Sequence, residues 1–177
     1  MSGGRVTGLA MTGRISLSNQ RLAMPSLALY QPDIPQNAGN ILRLGACLDV
    51  EVHVIEPAGF DLSDRALKRA GMDYLAHVRL IRHLSWGDFE AWRGATGHRL
   101  VLLTTGGTIP YDEFMFAAED VILFGRESAG VPEAVHAAAN ARLVIPMAKG
   151  LRSLNVATAA GMVLGEALRQ TGGFPAV

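Results

Sequence analysis

Residues 145–161 read IPMAKGLRSLNVATAAG: the end of an apolar run, a glycine turn, then Arg152, Ser153 and Asn155 within four positions, then an alanine-rich run of helical character. A strand-to-helix connection needs one capping oxygen for the unpaired amides of the first helical turn, and Ser153 can supply it. Arg152 and Asn155 have no such structural duty. The stretch therefore reads as a strand end, a candidate ligand loop and the start of a helix over 153–171.

Outward from it, the same alternation repeats along the chain. SLALY (26–30) reads as a buried strand, and NAGNILRLGACLD (37–49) as a helix entered at Asn37 with Ile41, Leu44, Cys47 and Leu48 on one face. VEVHVIE (50–56) is the next strand, and Ser63 caps a helix over DRALKRAGM (64–72) that stops near Gly71. LAHVRLI (75–81), RLVLLTT (99–105), DVILFG (120–125) and RLVIPM (142–147) are further strands; WGDFEAW (86–92) and PEAVHAAAN (132–140) are helices, the second with Pro132 in the first turn. Continuous apolar strands alternating with helices predict an α/β fold with a parallel sheet covered on both faces. The one boundary lies near Met24. Residues 1–24 are small, polar and weakly periodic, either a flexible extension or a misplaced start, and 25–177 form a single domain.

Composition narrows the class. Hydrophobic residues make up 49% of the 177 and charged residues 18%, which excludes a disordered chain. No apolar run approaches the ~18 residues of a membrane span, and the N-terminus lacks the apolar core of a secretory signal, so the expected location is the cytoplasm. Cys47 is the only cysteine; it rules out an internal disulfide and reads as core filler. The histidines His53, His77, His83, His98 and His136 show no metal-ligand spacing, so no metal is expected.

The formal net charge is zero, yet Arg5, Arg14 and Arg21 stand in the first 24 residues without an acid, leaving the remainder at −3. Such a body does not draw nucleic acid by its overall field, and RNA binding requires a local patch. One candidate is Arg65, Lys68, Arg69, Arg79, Arg82, Arg93 and Arg99, opposed in that interval only by Asp73, Asp88 and Glu90. A solvated charged face fits the same run.

In open parallel sheets, ligands bind outside the carboxyl ends of the strands. Three such ends carry unusual residues: LLTTGGT (102–108), LFGRESAGVP (123–132) and VIPMAKGLRSLN (144–155). Neither a G-x-G-x-x-G fingerprint nor a P-loop is present. A hydrolase using Ser128 would need glycine at 126, where the chain has Arg126. What remains is an inventory of backbone amides, neutral polar groups and Leu103, Ile145, Met147 and Leu154, which can enclose a flat base such as adenine or simply fill a core. A fourth segment, QPDIPQNAGNILR (31–43), adds Asn37, Asn40 and Arg43.

Together NAGNILR, LFGRESAGVP and IPMAKGLRSLNVATAA resemble, in order and spacing, the three signature motifs of the SPOUT-class RNA ribose 2′-O-methyltransferases. The resemblance spans about residues 25–171 and is closest to the short members that methylate the tRNA wobble ribose, of cytidine or carboxymethylaminomethyluridine. It implies a deep C-terminal trefoil knot, which elementary chain physics would not propose. It implies S-adenosylmethionine as cofactor, with Leu103, Thr104, Gly125, Ile145, Met147, Ser153 and Leu154 lining its pocket. It also implies direct methyl transfer to a ribose 2′-oxygen at a site containing Asn37, Arg43, Glu127, Ser153 and Asn155. Arg43 stays protonated and suits a clamp on phosphate and ribose better than a base. The resemblance further implies a homodimer with Arg43 acting at the cofactor pocket of the partner subunit, and tRNA held through Arg65, Lys68, Arg69 and Arg82. The middle motif departs from the wobble branch, which often has proline where this chain has Arg126. The alternatives are a sister enzyme acting on ribosomal RNA or another tRNA position, and a binding protein without catalysis.

Overall fold

The computed structural model of the chain describes residues 24–63 and 77–176. β1 (Ser26–Tyr30), β2 (Val52–Ile55), β3 (Leu80–His83), β4 (Arg99–Leu103), β5 (Ile109–Pro110), β6 (Asp120–Phe124) and β7 (Ala141–Val144) form one sheet in the order β3-β2-β1-β6-β4-β7-β5. Every pairing is parallel. Among the described residues the α-helices are α1 (Pro35–Leu48), α2 (Trp86–Thr96), α3 (Glu133–Ala138) and α4 (Val156–Thr171).

Successive strand residues point to opposite faces, and here both faces are apolar. Leu27, Leu29, Val52, Val54, Ile122 and Phe124 pack with Ile41 and Leu42 of α1 and Val163 and Leu164 of α4. Ala28, Tyr30, Ile55, Leu102, Val121 and Leu123 pack with Phe89 of α2 and Val135 of α3. Each fully buried aliphatic side chain stabilises by roughly 1.5–3 kcal/mol. That is why the strands read as unbroken apolar runs.

The strand order sets where a ligand can sit. β6 lies between β1 and β4, and β7 lies between β4 and β5, so the later strands enter gaps between earlier ones. The register Leu29↔Phe124, Leu103↔Phe124 and Leu103↔Leu143 brings the carboxyl ends of β1, β6, β4 and β7 side by side. The loops after these four strands share one rim.

One glycine on that rim has no room for a side chain. In the turn after β4, the Gly107 amide bonds to the Thr104 carbonyl at 3.1 Å and the Thr104 amide to the Leu143 carbonyl at 2.9 Å. A Cβ at 107 would lie 2.4 Å from the Leu143 carbonyl carbon, whereas one at Gly106 would meet nothing closer than 4.0 Å. Gly107→Ala is expected to lose about 2 kcal/mol of stability, within the range for forced overpacking, and Gly106→Ala little. Urea unfolding midpoints of the two variants check this.

Several expectations shift. α1 begins at Pro35 behind Ile34 with no side-chain cap, and Asn37 is buried inside its first turn. α4 begins at Val156 and is capped by Asn155, whose Oδ1 accepts from the amides of Ala157 at 2.9 Å and Thr158 at 3.3 Å. Ser153 lies too far upstream to cap it, because residues 151–155 remain extended loop. Cys47 is exposed rather than core, since Ile41, Leu42 and Gly45 take the inner face of α1. Pro132 stands just before α3, and the strand expected over 75–81 sits at Leu80–His83. The helix expected over 64–72 lies outside the described residues, and Ser63 bonds to the Asp61 carboxylate. The two-residue β5 went unread because Ile109–Pro110 carries no periodicity.

Candidate active site

The rim encloses a cavity of about 570 Å³. Its walls come from the end of β4 (Leu102, Leu103, Thr104, Thr105), from β6 and its loop (Phe124, Gly125, Arg126, Glu127, Gly130), and from the loop between β7 and α4 (Ile145, Met147, Arg152, Ser153, Leu154, Asn155). Ile34 and Asn37 of the β1–α1 segment complete it. All seven residues expected at a cofactor pocket line this one cavity.

Its polar edge is a chain of side chains. Asn155 Nδ2 donates to Asn37 Oδ1 at 2.8 Å, and Asn37 Nδ2 donates to Glu127 Oε1 at 3.0 Å. The second Glu127 oxygen accepts from the Asp33 amide at 3.2 Å, and Asp33 Oδ1 accepts from the Glu127 amide at 3.2 Å, a reciprocal clasp between the loops after β1 and β6. Hydrogen bonding with the Glu127 side chain, then with the Ser128 hydroxyl, holds the Asp33 carboxyl down at about 2. Asp33 was not singled out from sequence, where it is one carboxylate in a Pro-rich loop.

The loop after β6 is tightly closed. Arg126 and Gly130 exchange both main-chain hydrogen bonds, at 3.0 and 2.9 Å. A Cβ on Gly125 would come within 2.7 Å of the Gly130 carbonyl carbon, so glycine at 125 is a packing requirement. Arg126 hydrogen-bonds to the Gln31 side-chain oxygen, a second tie to the loop after β1.

Ser128 donates to Asp33, and no histidine lines the cavity, so nothing here activates it as a hydrolase nucleophile. Arg43 lies exposed on α1 and is not part of this cavity wall. Arg65, Lys68 and Arg69 fall outside the described residues. The rest of the expected basic patch is neutralised: Arg79 pairs with Glu51 at 3.0 Å, Arg82 with Glu56 at 2.8 Å, Arg93 with Glu90 at 2.7 Å and Arg99 with Asp120 at 2.6 Å. Three of those acids lie outside the 65–99 interval, on or beside neighbouring strands, which a local charge tally does not see. Among the described residues no group of His, Cys, Asp and Glu could hold a metal ion, and no helix is long and apolar enough to cross a membrane.

Residues 24–165 match the family model described as the SpoU rRNA Methylase family. The chain belongs to the SpoU methylase family. This SpoU methylase is 64% identical over 151 residues to the tRNA (cytidine(34)-2'-O)-methyltransferase of Beijerinckia indica subsp. indica, covering 85% of this chain and 94% of that one. A solved structure described as giving structural insights into the 2-OH methylation of C/U34 on tRNA superposes with a TM-score of 0.78 at 45% identity, over 85% of this chain and 97% of that one. The SpoU methyltransferase AviRb from Streptomyces viridochromogenes, crystallised with the cofactor AdoMet, superposes with a TM-score of 0.75 at 30% identity, over 85% of this SpoU methylase and 61% of AviRb.

Proposed function

We propose that the protein methylates the 2′-hydroxyl of the ribose at nucleotide 34 of tRNA, using S-adenosylmethionine, as a cytoplasmic homodimer. The observation that carries this reading is the single cavity that unites all seven expected cofactor residues with the Asn155–Asn37–Glu127 chain along its edge. It occurs in a chain most of which matches a named wobble-ribose methyltransferase.

The residues fit the cofactor. Leu103, Ile145, Met147 and Leu154 offer apolar surface to a purine, main-chain groups of the surrounding loops read its edge, and about 570 Å³ accommodates a nucleoside with an amino-acid tail. When bound, S-adenosylmethionine supplies a methyl group activated by its sulfonium. A ribose hydroxyl is a weak nucleophile, so the chain must orient it and ease departure of its proton. The Ser153 hydroxyl is read as the group that holds it, beside Asn155, whose amide is fixed by Asn37 and by the first turn of α4. Both Glu127 oxygens already accept protein hydrogen bonds, which suits that carboxylate to fixing Asn37 and the β1 loop rather than receiving the proton. Arg43, exposed and absent from its own subunit's cavity wall, is read as a clamp on phosphate and ribose at the partner subunit's pocket. Residues 25–177 are the unit that performs the reaction. We also infer a knotted C-terminus, supported by the entry of β7 between β4 and β5 and by the loop over 145–155 that follows it.

Incubation with labelled S-adenosylmethionine and tRNA lacking ribose methylation tests the reading. Label on the ribose of nucleotide 34 is expected. Label elsewhere on tRNA, or only on ribosomal RNA, keeps the chemistry and overturns the target; absence of transfer to any RNA overturns both.

A further inference from the structure

Apart from Arg43 on α1, the cations of the described residues divide by whether they pair with a carboxylate. Arg79, Arg82, Arg93, Arg99 and Arg169 each close on a carboxylate within 3.0 Å. Arg126, Lys149 and Arg152 close on none, and they stand around the cavity: Arg126 and Arg152 in its wall, Lys149 in the adjoining turn. Arg142 also lacks a carboxylate partner but lies within β7, off the cavity wall.

Local structure presents this second set outward. The Leu151 amide bonds to the Ala148 carbonyl at 3.2 Å and Gly150 takes a φ of 90°, so residues 148–151 form a tight turn. Residues 148–155 are all exposed, including Leu151 at 68%. Arg126 spends its described hydrogen bond on the neutral Gln31 amide, leaving its charge uncompensated. The carboxylates nearest the cavity, Asp33 and Glu127, are engaged with each other's amides, with Ser128 and with Asn37.

We propose that Arg126, Lys149 and Arg152 form a cationic rim that grips the backbone phosphates of single-stranded RNA on either side of the reacting ribose, in place of the neutralised β2–β3 face. A phosphate recovers charge-assisted hydrogen bonds there without breaking an ion pair, whereas at Arg79 or Arg82 it must first displace a glutamate. The exposed Leu151 gives an unstacked base apolar surface to lie on. The inference rests on reading the cavity as an RNA methylation site.

The experiment measures tRNA binding from 50 to 200 mM salt for the wild-type protein, the Lys149→Ala/Arg152→Ala double variant and Arg82→Ala. Each single-strand phosphate contact contributes about 0.7 to the slope of log affinity against log salt. The double variant should lose about 1.4 from the slope, roughly a 7-fold smaller decline over that range, and Lys149→Arg/Arg152→Lys should keep the wild-type slope because charge, not shape, is what matters. An unchanged slope in the double variant, or a loss confined to Arg82→Ala, overturns the rim. Methylation of some RNA other than tRNA overturns the target reading, and the same slopes measured on that RNA then decide for or against the rim.

Discussion

Asn37→Asp lowers kcat for methyl transfer by about 100-fold or more while the chain stays folded. The native amide uses both ends: it gives a proton to Glu127 at 3.0 Å and accepts one from Asn155 at 2.8 Å. Aspartate keeps the acceptor and replaces the donor with a second negative charge, at a buried position where water cannot screen it. Repulsion between the two carboxylates drives the Glu127 side chain away, which unfastens the loop after β6 from α1, and displacements of about 1 Å in a positioned site cost on the order of 10²-fold. The compensating change is specific: Asn37→Asp/Glu127→Gln restores the hydrogen bond with donor and acceptor exchanged, and should recover much of the lost rate. Single-turnover rates with saturating cofactor, arranged as a double-mutant cycle, read the coupling. Independent, additive losses would show that the Asn37–Glu127 bond does not position the site.

Acidification weakens the fold through a different part of the molecule. His53 on β2 and His83 on β3 share a ring-to-ring hydrogen bond of 3.0 Å among Phe89 and Trp92, and His53 Nε2 has no partner. Burial, reinforced by His83 and then His98, pushes the His53 imidazole down to about 3 from 6.5, and burial also lowers His83 against the pull of Asp88. The unfolded chain therefore takes up the proton first. Stability from His53 is complete above pH 6.5 and drains away as pH falls toward 3, amounting to about 3 kcal/mol by pH 4 as an order of magnitude. Asp33, lowered to about 2 from 3.8, and Glu166, lowered to about 2 from 4.5 by Arg169 and then Gln170, lose their contributions mainly below pH 5, so measurements from pH 7 to 5 report the imidazoles. Urea midpoints over that range should fall steeply for the wild type and less steeply for His53→Gln. Parallel curves would mean that His53 is not the group being titrated.

The sheet was legible because burial on both faces writes itself as unbroken apolar strands: SLALY and DVILF were placed within a residue or so of their observed ends. The cavity was legible for a different reason, since its walls are loop residues with no periodic duty, as at Ser153 and Leu154. What escaped were the pairings between distant segments. Asn37 looks like a cap from its neighbours alone, and only the meeting of β1 with β6 turns it into a link between Glu127 and Asn155. The Arg79 and Arg82 charges likewise look free until parallel pairing brings β2 and its flanks, with Glu51 and Glu56, beside them. Charge compensation in a sheet is a property of strand neighbours, which sequence distance hides.

Because β6 fills the gap between β1 and β4, a chain growing on the ribosome holds β4 apart from β1, β2 and β3 until residue 124 has emerged, and β5 without a partner until residue 144 has. The cavity needs residues beyond 150 as well. A nascent or prematurely ended chain is therefore blind to the methyl donor, and donor occupancy acts as a seal on finished molecules: binding stabilises only chains whose last segment is in place.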